Sequence, residues 1–456
     1  MGFIGRSKEL SVLEAKWASG KKEFGALYGR RRIGKTALLE KFAEGKKAIF
    51  FQAKRTAIYG NLQSFSKAVN KMLGISESLV YPSFEDAFEA LDKEARKERL
   101  LIIIDEYPYI LEQMDWFSSV LQQFIDHCSE NVFLLISGSN VSLLEKEIEG
   151  HASPLYKRKT FKMELRKLNF EEACLFLEGF DNQTKAKYLS LMSSYPYYLR
   201  AIDRRFSFRD NLKNLLFDEY GPFFSLPDQV LSNSLKVQDV YNAILEAIAA
   251  RKRTTSEIAE HIHEEESKVA KYLITLTGSG IVAKRETFMG NRNTSCYEIE
   301  DTLLRFWYSF IFPNEERIKT NGGMVCEELF EKIDLFLSHG FEEVCSLYLS
   351  WLNSQGKLET VFGEVKPYKV ERSSLGRSIE LDGVARQGDV LLIEEAKFRK
   401  IPFSLPMFEH LQESASVFPS KLKRVYYLFS RSGFDDRLLA LKDVNVHLIS
   451  LETMFS

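Results

Sequence analysis

The sequence has few cysteines, and their spacing suits neither a metal site nor a disulfide framework. The five cysteines are scattered and odd in number, and no two of them form a CxxC pair. Structural zinc sites and disulfide-rich domains need cysteines that are paired or closely spaced. We therefore expect reduced thiols in an intracellular protein.

The sequence also lacks a long apolar segment and a strong excess of charge of either sign. Its strongest apolar run, Leu100–Ile104, is far too short to span a bilayer, and the polar N-terminus has no signal-peptide core. The net charge of −2 argues against coating of nucleic acid or anionic membrane through bulk charge. These absences predict a cytoplasmic protein without membrane contact.

Four regions of the 456-residue chain differ in their apolar patterns. In the first, short apolar runs alternate with amphipathic segments, which predicts a mostly parallel α/β sheet with helices on both faces. A helical stretch rich in aromatic residues follows, then three short helices before two strands, and finally a second α/β pattern. The predicted regions are an α/β core at 1–165, a helical lid at 166–232, a winged helix at 233–305 and a C-terminal α/β domain at 306–456.

A phosphate-binding loop is predicted between the first apolar strand and the helix after it. The segment Gly29-Arg30-Arg31-Arg32-Ile33-Gly34-Lys35-Thr36 matches GxxxxGK[ST]. Glycines let backbone amides turn toward phosphates, and the helix N-terminus attracts the anion. Lys35 is expected to reach the β- and γ-phosphates of ATP and Thr36 to ligate Mg²⁺. The predicted nucleotide contacts are Gly29, Arg32, Ile33, Gly34, Lys35, Thr36 and Ala37.

Acidic residues that complete a Mg·ATP site follow a second apolar strand. Leu100–Ile104 runs directly into Asp105 and Glu106. We expect Asp105 to bind Mg²⁺ and Glu106 to polarise the attacking water as a general base. Because both motifs occur in the expected order and context, the sequence predicts a P-loop ATPase.

Two further residues are candidates for the ATP site, each with a structural alternative. The apolar strand Val132–Ile136 runs into Ser137-Gly138-Ser139-Asn140, where a polar side chain, with Ser137 as the candidate, would contact the γ-phosphate or the lytic water. The alternative is an ordinary turn after a strand. Arg158 lies in a basic run and would supply positive charge to the transition state, in its own subunit or across an interface. Its alternative is a solvated surface charge.

The chain resembles the archaeal-type ATPases of the AAA+/STAND group. Phe3-Ile4-Gly5-Arg6 with Glu9 and Leu10 is similar to the FxGRxxEL start of that family, and GRRRIGKT, IDEYPYI, ISGSN and SPLYKRKTF follow in the family's order. The resemblance implies ATP binding and slow, regulated hydrolysis. It also implies a P-loop NTPase sheet with a helical lid, a winged helix and a C-terminal nuclease-like domain.

The predicted winged helix has mixed charge. Lys268 and Lys271 lie on its third helix and Lys284, Arg285 and Arg292 on its wing, but Glu264–Glu266 precedes them. Phosphate neutralisation supplies most non-specific affinity for DNA, so this balance disfavours a strong independent DNA binder. DNA contact and a packing or protein-contact role both stay open.

The C-terminal region contains a possible metal-hydrolysis set. Asp382 lies on one predicted strand, and Glu395 and Lys397 lie two residues apart on the next, so that both point to one face. The acids would hold Mg²⁺ or Mn²⁺, Lys397 would orient the water, and Glu342 on the preceding helix would complete the metal shell. This order resembles the PD-(D/E)XK nuclease superfamily, whose fold is that of restriction endonucleases. The alternative is a salt-bridged strand pair.

Three functional hypotheses follow. The first is an ATPase whose nucleotide state controls a metal-dependent DNA nuclease. The second is a STAND-type switch whose C-terminal domain binds a partner or nucleic acid without cutting it. The third is a nucleotide-dependent scaffold that assembles into homo-oligomers. The intact set Glu342, Asp382, Glu395 and Lys397 favours the first, and the weakly basic winged helix favours the others.

Overall fold

A computed structural model describes residues 2–231, 238–285, 288, 296–370, 373 and 375–456. The chain forms two compact units, Met1–Leu168 and Asn169–Ser456. The predicted turn at 289–292, including Arg292, lies outside the described residues. No helix among the described residues is both long and apolar enough to cross a membrane.

The first unit is a parallel sheet with helices on its faces. Its elements are α1 Ser7–Ala18, β1 Glu23–Tyr28, α2 Lys35–Ala43, β2 Ala48–Gln52, α3 Ile58–Leu73, α4 Phe84–Ala95, β3 Leu100–Asp105, α5 Pro108–Leu111, α6 Phe117–His127, β4 Val132–Gly138, α7 Val141–Glu149 and β5 Phe161–Glu164. The strand order is β2-β3-β4-β1-β5, and all neighbouring strands are parallel. The carboxyl ends of β1, β3 and β4 therefore meet at one edge.

The apolar runs of the first unit become its central strands. Every residue of β1, β3 and β4 is buried, as expected for a sheet covered on both faces. The predicted mostly parallel α/β sheet is confirmed. Strand β5 was not predicted from the sequence. It has only four residues, and they alternate between half-buried and exposed, as in a short edge strand.

The second unit begins with short helices and a three-helix unit. The first group is α8 Phe170–Leu175, α9 Asn182–Met192, α10 Pro196–Arg200, α11 Phe208–Leu216 and α12 Leu226–Val230. The three-helix unit is α13 Gln238–Ala249, α14 Thr255–Ile262 and α15 Glu266–Gly278 with the antiparallel strands β6 Val282–Arg285 and β7 Cys296–Ile299. A capping box between Thr254 and Glu257 starts α14, as the sequence predicts.

A long helix leads from the three-helix unit to the C-terminal sheet. Helix α16 Thr302–Phe306 continues through a π-helical turn at Trp307–Ile311 and a 3₁₀ turn at Phe312–Asn314 into α17 Glu315–Ser354. Asn321 has non-helical angles and kinks α17. The predicted domain boundary at 306 thus falls within a run of consecutive helical turns.

The C-terminal sheet is mixed. Its elements are β8 Lys366–Val370, β9 Ile379–Gln387, β10 Val390–Lys397, α18 Leu405–Ala415, β11 Lys423–Ser430, α19 Asp436–Leu439, β12 Val446–Ser450 and α20 Leu451–Met454. The strand order is β12-β11-β10-β9-β8, with β10, β11 and β12 parallel to each other and β9 antiparallel to both of its neighbours. The ends of β9 and β10 hold the candidate C-terminal site.

Candidate functional site

The phosphate loop joins β1 to α2. Gly34 caps α2 with φ of 92°, a left-handed conformation that favours glycine. A Cβ atom on Gly29 would lie 2.4 Å from the carbonyl oxygen of Leu165, so glycine is required there by close approach. Ile33 is buried, and Ala37 lies in the first turn of α2. The loop and the N-terminus of α2 together have the form of an anion site.

Lys35 is a buried cation at the start of α2. Its side chain is 6% exposed, and its Nζ donates to the carbonyl oxygens of Gly29 and Arg30 at 2.8 and 2.9 Å. Burial lowers the pKa of Lys35, and the nearby charges of Glu106 and Asp105 act in the opposite direction. A desolvated ammonium group in this position attracts a phosphate oxygen more strongly than an exposed one does.

Asp105 lies at the centre of a network of polar side chains. Its carboxylate is fully buried and accepts hydrogen bonds from Thr36 Oγ1 at 2.8 Å, Gln52 Nε2 at 3.1 Å and Ser137 Oγ. Thr36 and Asp105 thus bring two oxygen ligands together beside the phosphate loop. Hard oxygen ligands of this kind fit Mg²⁺ held between protein and nucleotide phosphates.

Glu106 has an unusual backbone conformation and a fixed side chain. Its φ of 52° is uncommon for a residue other than glycine, and such residues concentrate at functional sites. Ser139 Oγ donates to both carboxylate oxygens at 2.9 Å, and Ser139 N donates to Oε2 at 3.2 Å. The predicted general base, which follows β3, is therefore held by the residue that follows the neighbouring strand β4.

Ser137 and Arg158, the other two candidates for the ATP site, each contact an aspartate. Ser137 is fully buried, and its hydroxyl donates to Asp105, so it touches the predicted Mg²⁺ ligand. Arg158 makes a bidentate pair with Asp126 at 2.8 and 2.9 Å and donates to the carbonyl of Pro154 at 2.9 Å. The catalytic role of Arg158 stays a prediction. Arg32, a predicted nucleotide contact, lies in the phosphate loop with φ of 68°.

Arg6 has a structural role that its sequence context did not predict. This buried arginine donates to the carbonyl oxygens of Ile33 at 2.8 Å and Arg166 at 2.6 Å, and it pairs with Glu9 at 2.9 Å. It therefore ties the phosphate loop to the segment after β5. Its place in the FxGR motif was the available signal. Ser139 lies in the ISGSN motif, but its contact with Glu106 was not predicted, and nothing local in the sequence singled out Gln52.

The candidate C-terminal residues meet on two paired strands. Gly383 of β9 pairs with Glu394 of β10, so Asp382 and Glu395 are the next residues along this antiparallel ladder. Asp382 Oδ2 accepts a hydrogen bond from the backbone of Ala396 at 2.8 Å, and Lys397 Nζ donates to Glu395 Oε1. The predicted strand-Asp and strand-ExK arrangement thus places two carboxylates and an ammonium group together.

These C-terminal groups interact through their charges. Burial raises the pKa of Asp382 well above its usual range, and the charges of Glu395 and Glu342 add to the shift. Burial acts to lower the pKa of Lys397, but Glu395 and Asp382 outweigh it and raise that pKa. Perturbed acids and a lysine in contact are typical of functional sites, although structural ion pairs produce the same pattern.

The carboxylate of Glu342 contacts a histidine of its own helix. Its Oε1 lies 3.3 Å from Nδ1 of His339 on the same helix, and its side chain is 39% exposed. Among the residues that the structure describes, no three or more His, Cys, Asp and Glu side chains are grouped so that they could hold a metal ion. The pair Asp382 and Glu395, without Glu342, is therefore the acidic set in this arrangement.

A fully buried acid next to this pair was not predicted. Glu394 points to the α17 side of β10, where Ser346 Oγ donates to its Oε2 at 2.9 Å. Burial raises the pKa of Glu394 well above its usual range. This hydrogen-bonded carboxyl group joins α17 to the strand that carries Glu395 and Lys397.

Basic residues of the three-helix unit are largely neutralised by neighbouring acids. Lys268 pairs with Glu264 at 2.9 Å, and Arg285 pairs with Glu300 at 2.7 Å. Arg253 lies 3.3 Å from Glu298 on β7. Paired cations release fewer counterions from DNA than free ones do, so these three pairs reduce the electrostatic attraction of this surface for DNA.

Comparison with known proteins matches two segments of the chain. Residues 3–197 match a family described as an ATPase domain predominantly from Archaea. Residues 307–410 match a family described as "Archaea bacterial proteins of unknown function", and this segment contains all four candidate C-terminal residues.

Individual proteins and one solved structure are also similar to the chain. An uncharacterised protein of Methanocaldococcus jannaschii is 29% identical over 369 residues, which cover 79% of this chain and 80% of its own. An uncharacterised ATP-binding protein of the same organism is 53% identical over 45 residues, 10% of this chain and 76% of its own. The Walker-type ATPase of Pyrococcus abyssi shares the fold, with a TM-score of 0.52 at 19% identity over 67% of this chain and 96% of its own. Residues 3–197 therefore form an archaeal-type, ATP-binding P-loop ATPase domain.

Proposed function

We propose that the nucleotide state of this ATPase controls a metal-dependent DNA nuclease site in the second unit. The observation that carries the proposal is the meeting of Asp382, Glu395 and Lys397 at the ends of β9 and β10. Two carboxylates suit a divalent cation that activates water, and a lysine beside them suits the negative charge of a phosphodiester. The ATPase domain upstream supplies a regulator.

ATP hydrolysis itself is assigned to residues of the first unit. Lys35 and the loop amides hold the phosphates, Thr36 and Asp105 hold Mg²⁺, and Glu106 orients and deprotonates the water. Ser139 fixes the Glu106 carboxylate through contacts of 2.9 and 3.2 Å. Arg158 stays a candidate for stabilising transition-state charge, within its own subunit or in a neighbouring copy.

The acidic pair of the second unit suits Mg²⁺ or Mn²⁺. Mg²⁺ is commonly held by one or two carboxylates together with waters and substrate phosphates, so a protein cage of three acids is not required. Asp382 and Glu395 would hold such an ion, which would supply a water of lowered pKa. The ammonium group of Lys397, which donates to Glu395, would hold that water or a phosphate oxygen.

A second function is favoured by the charges of the three-helix unit. Its cations pair with Glu264, Glu298 and Glu300, which reduces their value for DNA contact. In this alternative the chain is a STAND-type switch or scaffold, and its C-terminal sheet binds a partner without cleavage.

Cleavage assays separate the two functions. Plasmid and single-stranded DNA are incubated with Mg²⁺ or Mn²⁺, with and without ATP, and with wild type, Lys35→Ala, Glu106→Gln and Lys397→Ala. The matched control is Lys400→Ala, because Lys400 is an exposed lysine three residues beyond Lys397. The nuclease function predicts cutting that is lost in Lys397→Ala, kept in Lys400→Ala and changed by ATP or by Lys35→Ala.

The Glu106→Gln variant separates the effect of ATP binding from the effect of ATP hydrolysis. It retains the phosphate loop, so it is expected to bind ATP and to hydrolyse it on the order of 10²-fold or more slowly. If cleavage follows ATP binding, Glu106→Gln will resemble wild type with ATP. Intact ATP hydrolysis without cleavage under any metal or nucleotide condition would establish the switch function instead.

A further inference from the structure

Glu342 is linked by hydrogen bonds to the three-helix unit. His339 lies one turn before Glu342 on α17, and its Nδ1 is 3.3 Å from Glu342 Oε1. The other ring nitrogen, Nε2, contacts the guanidinium group of Arg251, which follows α13. The three side chains form a row from Arg251 through His339 to Glu342.

The direction of the hydrogen bonds follows from the chemistry of the arginine. A guanidinium group has donors only, so Nε2 of His339 accepts from Arg251. Because Nε2 accepts, the ring proton lies on Nδ1 and is donated to Glu342 Oε1. The arginine thus fixes the tautomer that lets His339 hold the carboxylate.

Arg251 has a backbone conformation that an arginine rarely adopts. Its φ is 66°, and the amides of Arg251 and Lys252 donate to the carbonyls of Ile248 and Ala247, each at 3.0 Å. These two bonds form a Schellman motif, in which the left-handed position is usually glycine. An arginine at this position is costly for the backbone, and its side chain makes the contact with His339.

We propose that Arg251 and His339 are positioning residues that hold the carboxylate of Glu342 out of the metal set of Asp382 and Glu395. The proposal rests on the function proposed for that acidic pair. Glu342 is close enough for its charge to act on both acids, yet its carboxylate is engaged by His339. Release of this contact would let Glu342 turn toward the pair and add a third carboxylate ligand.

The test measures Mn²⁺ binding to the full chain without nucleotide, by calorimetry. The part of the binding that Asp382→Asn removes reports the C-terminal site. Arg251→Gly and His339→Ala are each expected to tighten this binding on the order of 10-fold, a change typical of residues that orient metal ligands. Arg251→Gly keeps the backbone motif, so its melting temperature should not fall below that of wild type.

Two controls separate positioning from a general charge effect. Arg253→Ala removes a nearby arginine that pairs with Glu298, and it should leave Mn²⁺ affinity unchanged. Adding Glu342→Ala to His339→Ala or Arg251→Gly should abolish the gain, since the gain needs the third carboxylate. A gain that persists without Glu342 would overturn the proposal.

The outcomes also distinguish this inference from the proposed function. If wild type binds Mn²⁺ through Asp382 and the two variants bind it no more tightly, the positioning role fails while the metal site stands. If neither wild type nor the variants show binding that depends on Asp382, both fail. Binding that appears only in Arg251→Gly and His339→Ala would support the positioning role directly.

Discussion

The Glu106 carboxylate is held by one neighbouring residue, Ser139, which was not singled out in the sequence. Both oxygens of Glu106 accept from Ser139, and the left-handed backbone of Glu106 turns the side chain toward that contact. A general base works efficiently only when its oxygen has a fixed position relative to the attacking water. We therefore expect Ser139 to affect hydrolysis through Glu106, the proposed general base, and not through ATP binding.

We expect Ser139→Ala to lower kcat for ATP hydrolysis about 10-fold and to leave ATP affinity unchanged, because the substitution frees a carboxylate outside the phosphate loop. Steady-state hydrolysis and equilibrium binding of a fluorescent ATP analogue measure the two effects. Ser142→Ala, in an adjacent helix, is the matched control. A rise in kcat would show instead that Ser139 restrains Glu106 in an inactive position.

Arg158 and Asp126 allow a symmetric test of the arginine's role. Their bidentate contact is partly exposed, and the pairing with Arg158 lowers the pKa of Asp126. If the pair is structural, Arg158→Ala and Asp126→Ala will each reduce the free energy of unfolding by up to about 1 kcal/mol and will change kcat equally little. This is the outcome that the contact favours.

A catalytic Arg158 would give a different result in the same measurements. Arginines that stabilise the transition state of phosphoryl transfer contribute on the order of 10³-fold to kcat. Loss of this size in Arg158→Ala alone, with Asp126→Ala near wild type, would show that the guanidinium serves the ATP site.

At the scale of elements, the packing of α9 against α17 depends on a close backbone approach. A Cβ atom on Gly340 would lie 2.0 Å from the carbonyl oxygen of Ser190. Lys187 of α9 also lies 3.5 Å from Asp334 of α17. Helices approach this closely only where a glycine faces the partner backbone. Gly340 therefore fixes the position of α17 two residues before Glu342.

We expect Gly340→Val to destabilise the protein by about 1–3 kcal/mol, because the obstructing atom is backbone and the two helices must separate. Gly278→Ala is the matched control: it lies at the end of α15 with nothing within 4 Å of an added Cβ, so its stability should be unchanged or slightly higher. Denaturant unfolding measures both. Equal stability of Gly340→Val and wild type would show that α17 has room to shift.

Elements with a simple pattern were predicted well from the sequence. The sequence pattern predicts a helix at Lys35–Ala43, which are the observed bounds of α2, and strands at Phe24–Tyr28, Leu100–Ile104 and Val132–Ile136, each within two residues of β1, β3 and β4. Continuous apolar runs between turns have one good solution in a covered sheet. In the region of α17 the pattern predicts a helix only at Gly340–Leu352. Its earlier part contains Gly322 and Gly323 beside the kink at Asn321, and this local signal resembles a loop.

In the candidate sites, too, residues that belong to sequence motifs were predicted and contacts between distant residues were not. Lys35, Thr36 and Asp105 belong to spaced motifs, so their meeting was predictable from the order of the strands. The contacts of Ser139 with Glu106 and of Ser346 with Glu394 join residues 33 and 48 positions apart. Such contacts depend on packing that no local pattern encodes.

At the scale of the whole molecule, the chain divides between Leu168 and Asn169. The first unit contains every predicted contact of the ATP site, from Gly29 to Arg158. The predicted lid and the predicted C-terminal domain, by contrast, lie within one unit. The nucleotide-dependent control proposed above would therefore connect the unit that contains the ATP site with the unit that contains both α8–α12 and the C-terminal sheet.

The second unit should fold as a whole and not as a separate C-terminal domain. Helix α17 packs on α9 at Gly340 and on α11 through ion pairs of Glu327 with Arg209 and Lys213 at 2.8 and 2.7 Å. We expect a fragment of residues 169–456 to unfold in one cooperative thermal transition. A fragment of residues 306–456 leaves this face of α17 uncovered, so it should melt at a much lower temperature or without cooperativity. Equal melting curves for the two fragments, followed by circular dichroism, would show that the C-terminal sheet is stable without the helices that precede residue 306.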